Sequence, residues 1–165
     1  MAKKLTLTEL NKLGEKFNER KKIYILDGQY EVDIDVTFKL SDIDDLVMVY
    51  ASAIQELKEM NDTDEIQIKD TLSLLPTLIL RAFTNLPIPK ESTDISSLIV
   101  ISKNLYNLGI TEEVYSKLPE EQIKKVTDKI NAFGKNIGTV MGEWAIAEEL
   151  NKTEQGATES KSEMG

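Results

Sequence analysis

Five aspartates fall within a short stretch of this chain: Asp33, Asp35, Asp42, Asp44 and Asp45. Carboxylates at that density suit a hard divalent cation or paired acid–base work. The calcium-loop template is not met, because the run lacks both the central glycine and a bidentate glutamate at its twelfth position. Asp33 and Asp35 alternate on the polar side of a strand-like run. Asp42, Asp44 and Asp45 open a helix-like one, where anions offset the helix dipole. They read as solvated faces and a helix start.

Histidine and cysteine are both absent. That excludes Ser–His and Cys–His nucleophiles, thiolate metal sites, disulfides and the familiar histidine zinc sites. Lysine and carboxylate chemistry would need a placement that spacing does not supply. Gly-rich phosphate loops, Gly-x-Ser-x-Gly elbows, zinc-finger spacings and internal repeats are missing as well. The expectation is a protein that is not an enzyme and uses no metal and no cofactor.

Charge narrows the partners. The net charge of −9 is uneven: residues 1–22 sum to +4, residues 23–65 to −10 and residues 66–165 to −3. Most of that surface repels phosphate backbones, so nucleic acid is not expected as a partner. No apolar run approaches the roughly 20 residues that cross a bilayer, and the first residues have no apolar core of a secretion signal. The reading is a soluble, cytoplasmic protein with no membrane partner.

These side chains must be positioned by a helical body. Residues 1–150 read as one globular domain, made of a basic helix within 1–22, a β-hairpin over 23–38 and a helical bundle over 42–150. Residues 151–165 read as a disordered polar tail, too poor in apolar area to offset their ordering entropy. The fold class is α+β, predominantly α-helical. Thr6-Leu-Thr-Glu9 has the spacing of a capping box and opens a helix to about Lys21, with Leu10, Leu13 and Phe17 on one face. That helix packs on the hairpin or waits for a partner. Asp27-Gly28 suits a two-residue type I′ turn, which pairs Ile25 with Tyr30 and Ile23 with Val32 on one buried face. Ile34, Val36 and Phe38 then overhang, an edge open to strand addition from elsewhere.

Helices follow over Asp42–Met60, Ile66–Phe83 and Asp94–Leu108. Pro76 should kink or split the second. Leu98, Ile101, Leu105 and Leu108 face inward on the third, with Gly109 as its stop. A short helix then leads to Pro119, the expected first position of the last one.

The last helix, Ile123 to Leu150, carries the strongest pattern. Ile123, Val126, Ile130, Phe133, Ile137, Val140 and Trp144 recur at threes and fours, the seam of a helix lying along another. Gly134, Gly138 and Gly142 form a ridge beside it, each costing roughly 1 kcal/mol against alanine unless a neighbouring backbone sits close. Two readings stay open: a core helix of the same domain, or a seam that meets another protein. For the second, the binding residues are Phe133, Gly134, Ile137, Gly138, Val140, Met141, Gly142 and Trp144.

A basic opening helix with Leu5-Thr-Leu-Thr-Glu-Leu10 comes first. An apolar–acidic stretch through Phe38, the acidic helix Asp42–Met60, a helical body and a polar tail complete the layout. That order resembles the tail assembly chaperones of long-tailed phages infecting Gram-positive bacteria. The resemblance implies a cytoplasmic, non-virion protein that holds the helical tape measure protein and promotes tail tube assembly. It carries no site residue with it. The alternative is a virion structural subunit, self-associating as a homo-oligomer through the hairpin edge and the last helix.

Overall fold

Asp27 and Gly28 reverse the chain with φ of 57° and 79°, the two left-handed residues a type I′ turn demands. Leu26 also adopts a positive φ, 51°, which strains a leucine by roughly 1–2 kcal/mol. The flanking strands, β1 (Arg20–Ile25) and β2 (Tyr30–Asp35), pair antiparallel. Ile25 lies opposite Tyr30 and Ile23 opposite Val32, the expected register. Ile23, Ile25, Val32 and Ile34 are buried. Tyr30, expected among them, begins β2 next to the turn and is more than half exposed, although Ile25 opposite it is buried.

The structure, a computed structural model, describes the backbone of residues 1–60, 64–91 and 94–134 and the side chains of 1–59, 73–91 and 94–134. The chain divides into two compact units, Met1–Thr127 and Asp128–Gly165. The expected domain boundary at residue 150, and the tail beyond it, lie outside the described residues. The class is predominantly helical α+β, with one amino-terminal hairpin.

The capping box forms as expected. Glu9 N–H donates to the Thr6 hydroxyl at 3.2 Å, while the Thr6 N–H donates to the Glu9 carboxylate at 3.2 Å. The helix it opens, α1 (Leu7–Gly14), is shorter than expected. Gly14 weakens its end, a 3₁₀ turn covers Glu15–Asn18, and the chain extends from Glu19. Arg20 and Lys21 pair with Asp35 and Ile34 instead of continuing the helix. Strand pairing beats helix propensity there. The expected overhang after Val32 is correspondingly shorter.

Helix α2 (Leu40–Met60) starts two residues before the expected Asp42, with the Ile43 N–H bonded to the Lys39 carbonyl at 3.0 Å. It buries Ile43, Leu46, Val47, Ala53 and Leu57. Helix α3 (Asp64–Phe83) follows and buries Leu74, Leu78, Ile79, Leu80 and Phe83. Pro76 lies inside it and does not split it. Ser73, one turn earlier, has its carbonyl bonded by the Thr77 hydroxyl at 3.3 Å and by the Ser102 hydroxyl of the next helix at 2.9 Å. Those bonds support the stretch of ladder that proline weakens. Ser102→Ala should cost about 1 kcal/mol in urea denaturation, the net value of a buried hydrogen bond. A change below a few tenths would mean that Thr77 alone suffices.

Helix α4 (Ile95–Asn107) is capped by Asp94, whose carboxylate accepts from the Ser96 N–H at 3.2 Å. Ile95, Leu98 and Leu105 are buried. Ile101 is half-buried and Leu108, expected inward, is exposed, since the helix ends before it. Gly109 at φ 76° stops α4 and starts α5 (Ile110–Tyr115). Helix α6 covers residues 120–134. Pro119 is its cap, one position before the expected one: the Ile123 N–H donates to its carbonyl at 3.1 Å.

At the centre of the first unit Phe38 and Phe83 stack with centroids 3.7 Å apart and planes 2° from parallel, both fully buried. Centroids this close leave little room for the offset that ring quadrupoles prefer in parallel stacks, so burial carries the stabilisation here. Three bonds from the carboxy-terminal elements hold the hairpin. Glu113 accepts from the strained Leu26 N–H at 3.2 Å. The Lys117 ammonium donates to the Tyr24 carbonyl at 3.0 Å, and Gln122 accepts from the Phe38 N–H at 2.8 Å.

Candidate protein-binding surfaces

The largest departure from a well-covered fold is α1. Its apolar stripe, Leu7, Leu10 and Leu13, is 73%, 52% and 61% exposed, and no residue of the helix is buried. The expected packing on the hairpin does not occur. The α-helix ends at Gly14, and of the expected face Leu10, Leu13 and Phe17 only Phe17, after the helix, is half-buried. Single exposed leucines are ordinary, but a row on one helix face is a surface for something else.

A groove runs between α2, α3 and α4. Met48, Val49, Ala53, Leu74, Leu78 and Leu98 are among its walls, it encloses about 230 Å³, and Glu56 stands at its border. Met48 is 60% exposed. Sequence reasoning passed over this groove. The available signal was the run Leu46-Val-Met-Val-Tyr50, five apolar residues where a single buried stripe needs two or three.

Next to it lies a wider, polar cleft of about 490 Å³, sharing Val49 and Leu78. Phe17, Arg20, Asp35, Asp42, Asp45, Arg81 and Lys90 line it. Arg20 Nε meets Asp35 Oδ1 at 3.1 Å. Burial nevertheless raises the Asp35 carboxyl above its ordinary value; Arg20 opposes the shift and Asp42 adds to it. Burial lowers Arg81, whose guanidinium donates to the Pro89 carbonyl at 3.5 Å. With Lys39 also on its wall the cleft holds four cations against three carboxylates, and no cluster fit for a metal occurs among the described residues.

A carboxyl raised in the folded state binds protons there that the unfolded chain has already released. Its contribution to stability therefore declines as pH climbs from the ordinary value of 3.8 through the raised one. Asp35→Asn removes that decline. The variant's urea midpoint should gain on the native chain's across this window. A difference that runs the other way would show the Arg20 pair dominating.

Of the edge residues, Ile34 and Phe38 are fully buried and Val36 is half-buried. Ile34 lies opposite Lys21 and also bridges Thr84. The Asn85 N–H donates to the Asp33 carbonyl at 3.1 Å, and the Asn85 side-chain carbonyl accepts from the Asp33 N–H at 2.8 Å. The chain's own Thr84–Asn85 thus occupies the outer side of β2 there. In α6, Val126 is fully buried and Ile123 half-buried. In the second unit, Ile130 and Phe133 are half-buried, and a Cβ at Gly134 would meet nothing within 4 Å. Ile137, Gly138, Val140, Met141, Gly142 and Trp144 lie outside the described residues. Among the described residues, no helix is long and apolar enough to cross a membrane.

A protein-family model described as YomO matches residues 7–163. No curated protein and no solved structure matches the chain.

Proposed function

The chain belongs to the YomO family, a phage-related one, and from that premise we propose that it is a non-catalytic assembly protein that holds a helical client. In the more specific form, it is a tail assembly chaperone in the cytoplasm of the infected host. There it binds the tape measure protein and promotes growth of the tail tube around it. One observation carries this reading: the row Leu7, Leu10 and Leu13 on a capped, folded helix that no other described element covers. A helix with an uncovered apolar face pairs readily with a helical partner. The absence of histidine and cysteine supports a binding role over a chemical one.

Co-expression with the long helical tail protein of the same phage tests it. The client should stay in the supernatant with this chain and precipitate without it. Unchanged client solubility would overturn the reading. Defined rings or polymers of the chain alone, seen by light scattering, would favour a virion subunit instead.

A further inference from the structure

We infer that the outer side of β1 is a strand-addition edge, open to an extended, carboxylate-bearing segment of another protein. The leucines of α1 take no part in it, so its failure and that of the client reading are distinguishable.

Hydrogen bonding shows which backbone groups are open. Along a strand of an antiparallel pair, residues turn their N–H and carbonyl alternately towards the partner and outward. The Val36 N–H bonds the Glu19 carbonyl across this pair at 3.2 Å, which sets the alternation. Asp33 bonds outward, to Asn85, so Lys22 opposite it turns its N–H and carbonyl outward on the other edge. By the same alternation Arg20 and Tyr24 do so too. The Tyr24 carbonyl takes the Lys117 ammonium, and beyond it the Leu26 N–H takes Glu113. The backbone groups of Arg20 and Lys22 and the Tyr24 N–H have no bonding partner among the described residues, and all three residues are exposed. Thr84–Asn85 fills the corresponding groups of β2, so β1 is the open side.

Charge selects the occupant. Arg20, Lys21 and Lys22 follow one another along this edge. Arg20 and Lys22 each meet one carboxylate from β2, Asp35 and Glu31, at 3.1 Å, which leaves their outer sides to a newcomer. Lys21 has no ion pair among the described residues. An opposite charge directly across a ladder stabilises it, and a like charge destabilises it. In every antiparallel register that uses Arg20 and stops before Leu26, a second copy of β1 sets Lys22 against Lys22 or Arg20. Cations on the edge thus turn away the chain's own kind and admit a strand with carboxylates opposite Arg20 and Lys22. The position between them and the next, opposite buried Ile23, suits an apolar residue.

Fluorescence anisotropy with the full-length chain and a short, blocked peptide of alternating glutamate and valine tests this. The peptide should bind about tenfold tighter than its lysine–valine counterpart, an advantage that salt reduces. Binding should slow amide exchange at Lys22 and Tyr24, whose N–H groups acquire acceptors. Lys22→Pro should abolish binding with circular dichroism unchanged, because proline is tolerated where a strand's N–H faces out. Should that variant unfold, Lys21→Gln with Lys22→Gln keeps the backbone donor and should lower the affinity about tenfold. Equal affinity for the two peptides, no binding of either, or binding that leaves exchange at Lys22 and Tyr24 unchanged would overturn the inference. Slow exchange there in the free chain, with a native mass of two copies, would overturn it in favour of self-pairing.

Discussion

Phe83→Ala should destabilise the full-length chain by about 3–5 kcal/mol, the usual loss for a buried phenylalanine truncated to alanine. Phe83 is fully buried, stacks on Phe38 and ends α3. Its ring has no route to solvent, so the space it leaves stays empty. A loss of that size is a large share of the roughly 5–15 kcal/mol that domains possess. Phe83→Leu should return most of it, since leucine refills much of the volume and volume-conserving swaps cost under about 1.5 kcal/mol. Urea denaturation monitored by circular dichroism measures both. A loss below about 1 kcal/mol for Phe83→Ala would mean that the core collapses around the gap and that the stack is not central to it.

The opposite pairing of effects is expected at the arm. Leu10→Glu combined with Leu13→Glu should change stability by no more than about 0.5 kcal/mol, as surface substitutions do. Glutamate and leucine have similar helix propensity, so the helix itself should persist. Binding is where the loss should appear. Client solubilisation should fall to the level seen without the chain, because two carboxylates cannot enter an apolar contact without desolvation. A marked fall in the unfolding midpoint would show that the leucines pack within their own chain. Intact client solubilisation would place the client site elsewhere.

Much of the fold was legible in the chain because the relevant signals are local. Asp27-Gly28 determines the hairpin register without help from the rest of the molecule, and Thr6 with Glu9 opens α1 as their spacing demands. Asp94, Gly109 and Pro119 mark helix ends because capping depends on neighbouring backbone groups. Sequence and structure part where distant residues decide. The first helix is shorter than its local signals suggest because Arg20 and Lys21 answer to Asp35 and Ile34, not to their own propensity. Tyr30 alternates correctly yet stays exposed, since alternation assigns a side and does not say what covers it. The outer side of β2 looked open because Thr84 and Asn85, some 50 positions away, carry no strand signal. The binding surfaces were the least legible. An amphipathic stripe has the same spacing whether the chain or a stranger covers it, and only coordinates show that α1 is left bare.

The bonds from Glu113, Lys117 and Gln122 to the hairpin join residues 84 to 93 positions apart. A ribosome delivers the hairpin first, Thr84 and Asn85 beside β2 next, and these three fasteners only after some 120 residues have been translated. Until then Ile23, Ile25, Val32 and Ile34 are a greasy, half-made sheet on a nascent polypeptide, with Leu26 held in its strained turn only by the bond from the Gln29 N–H to its carbonyl. Amide protection at Leu26 should therefore arrive late, and ribosome-bound fragments released before Gln122 should be the species that clump.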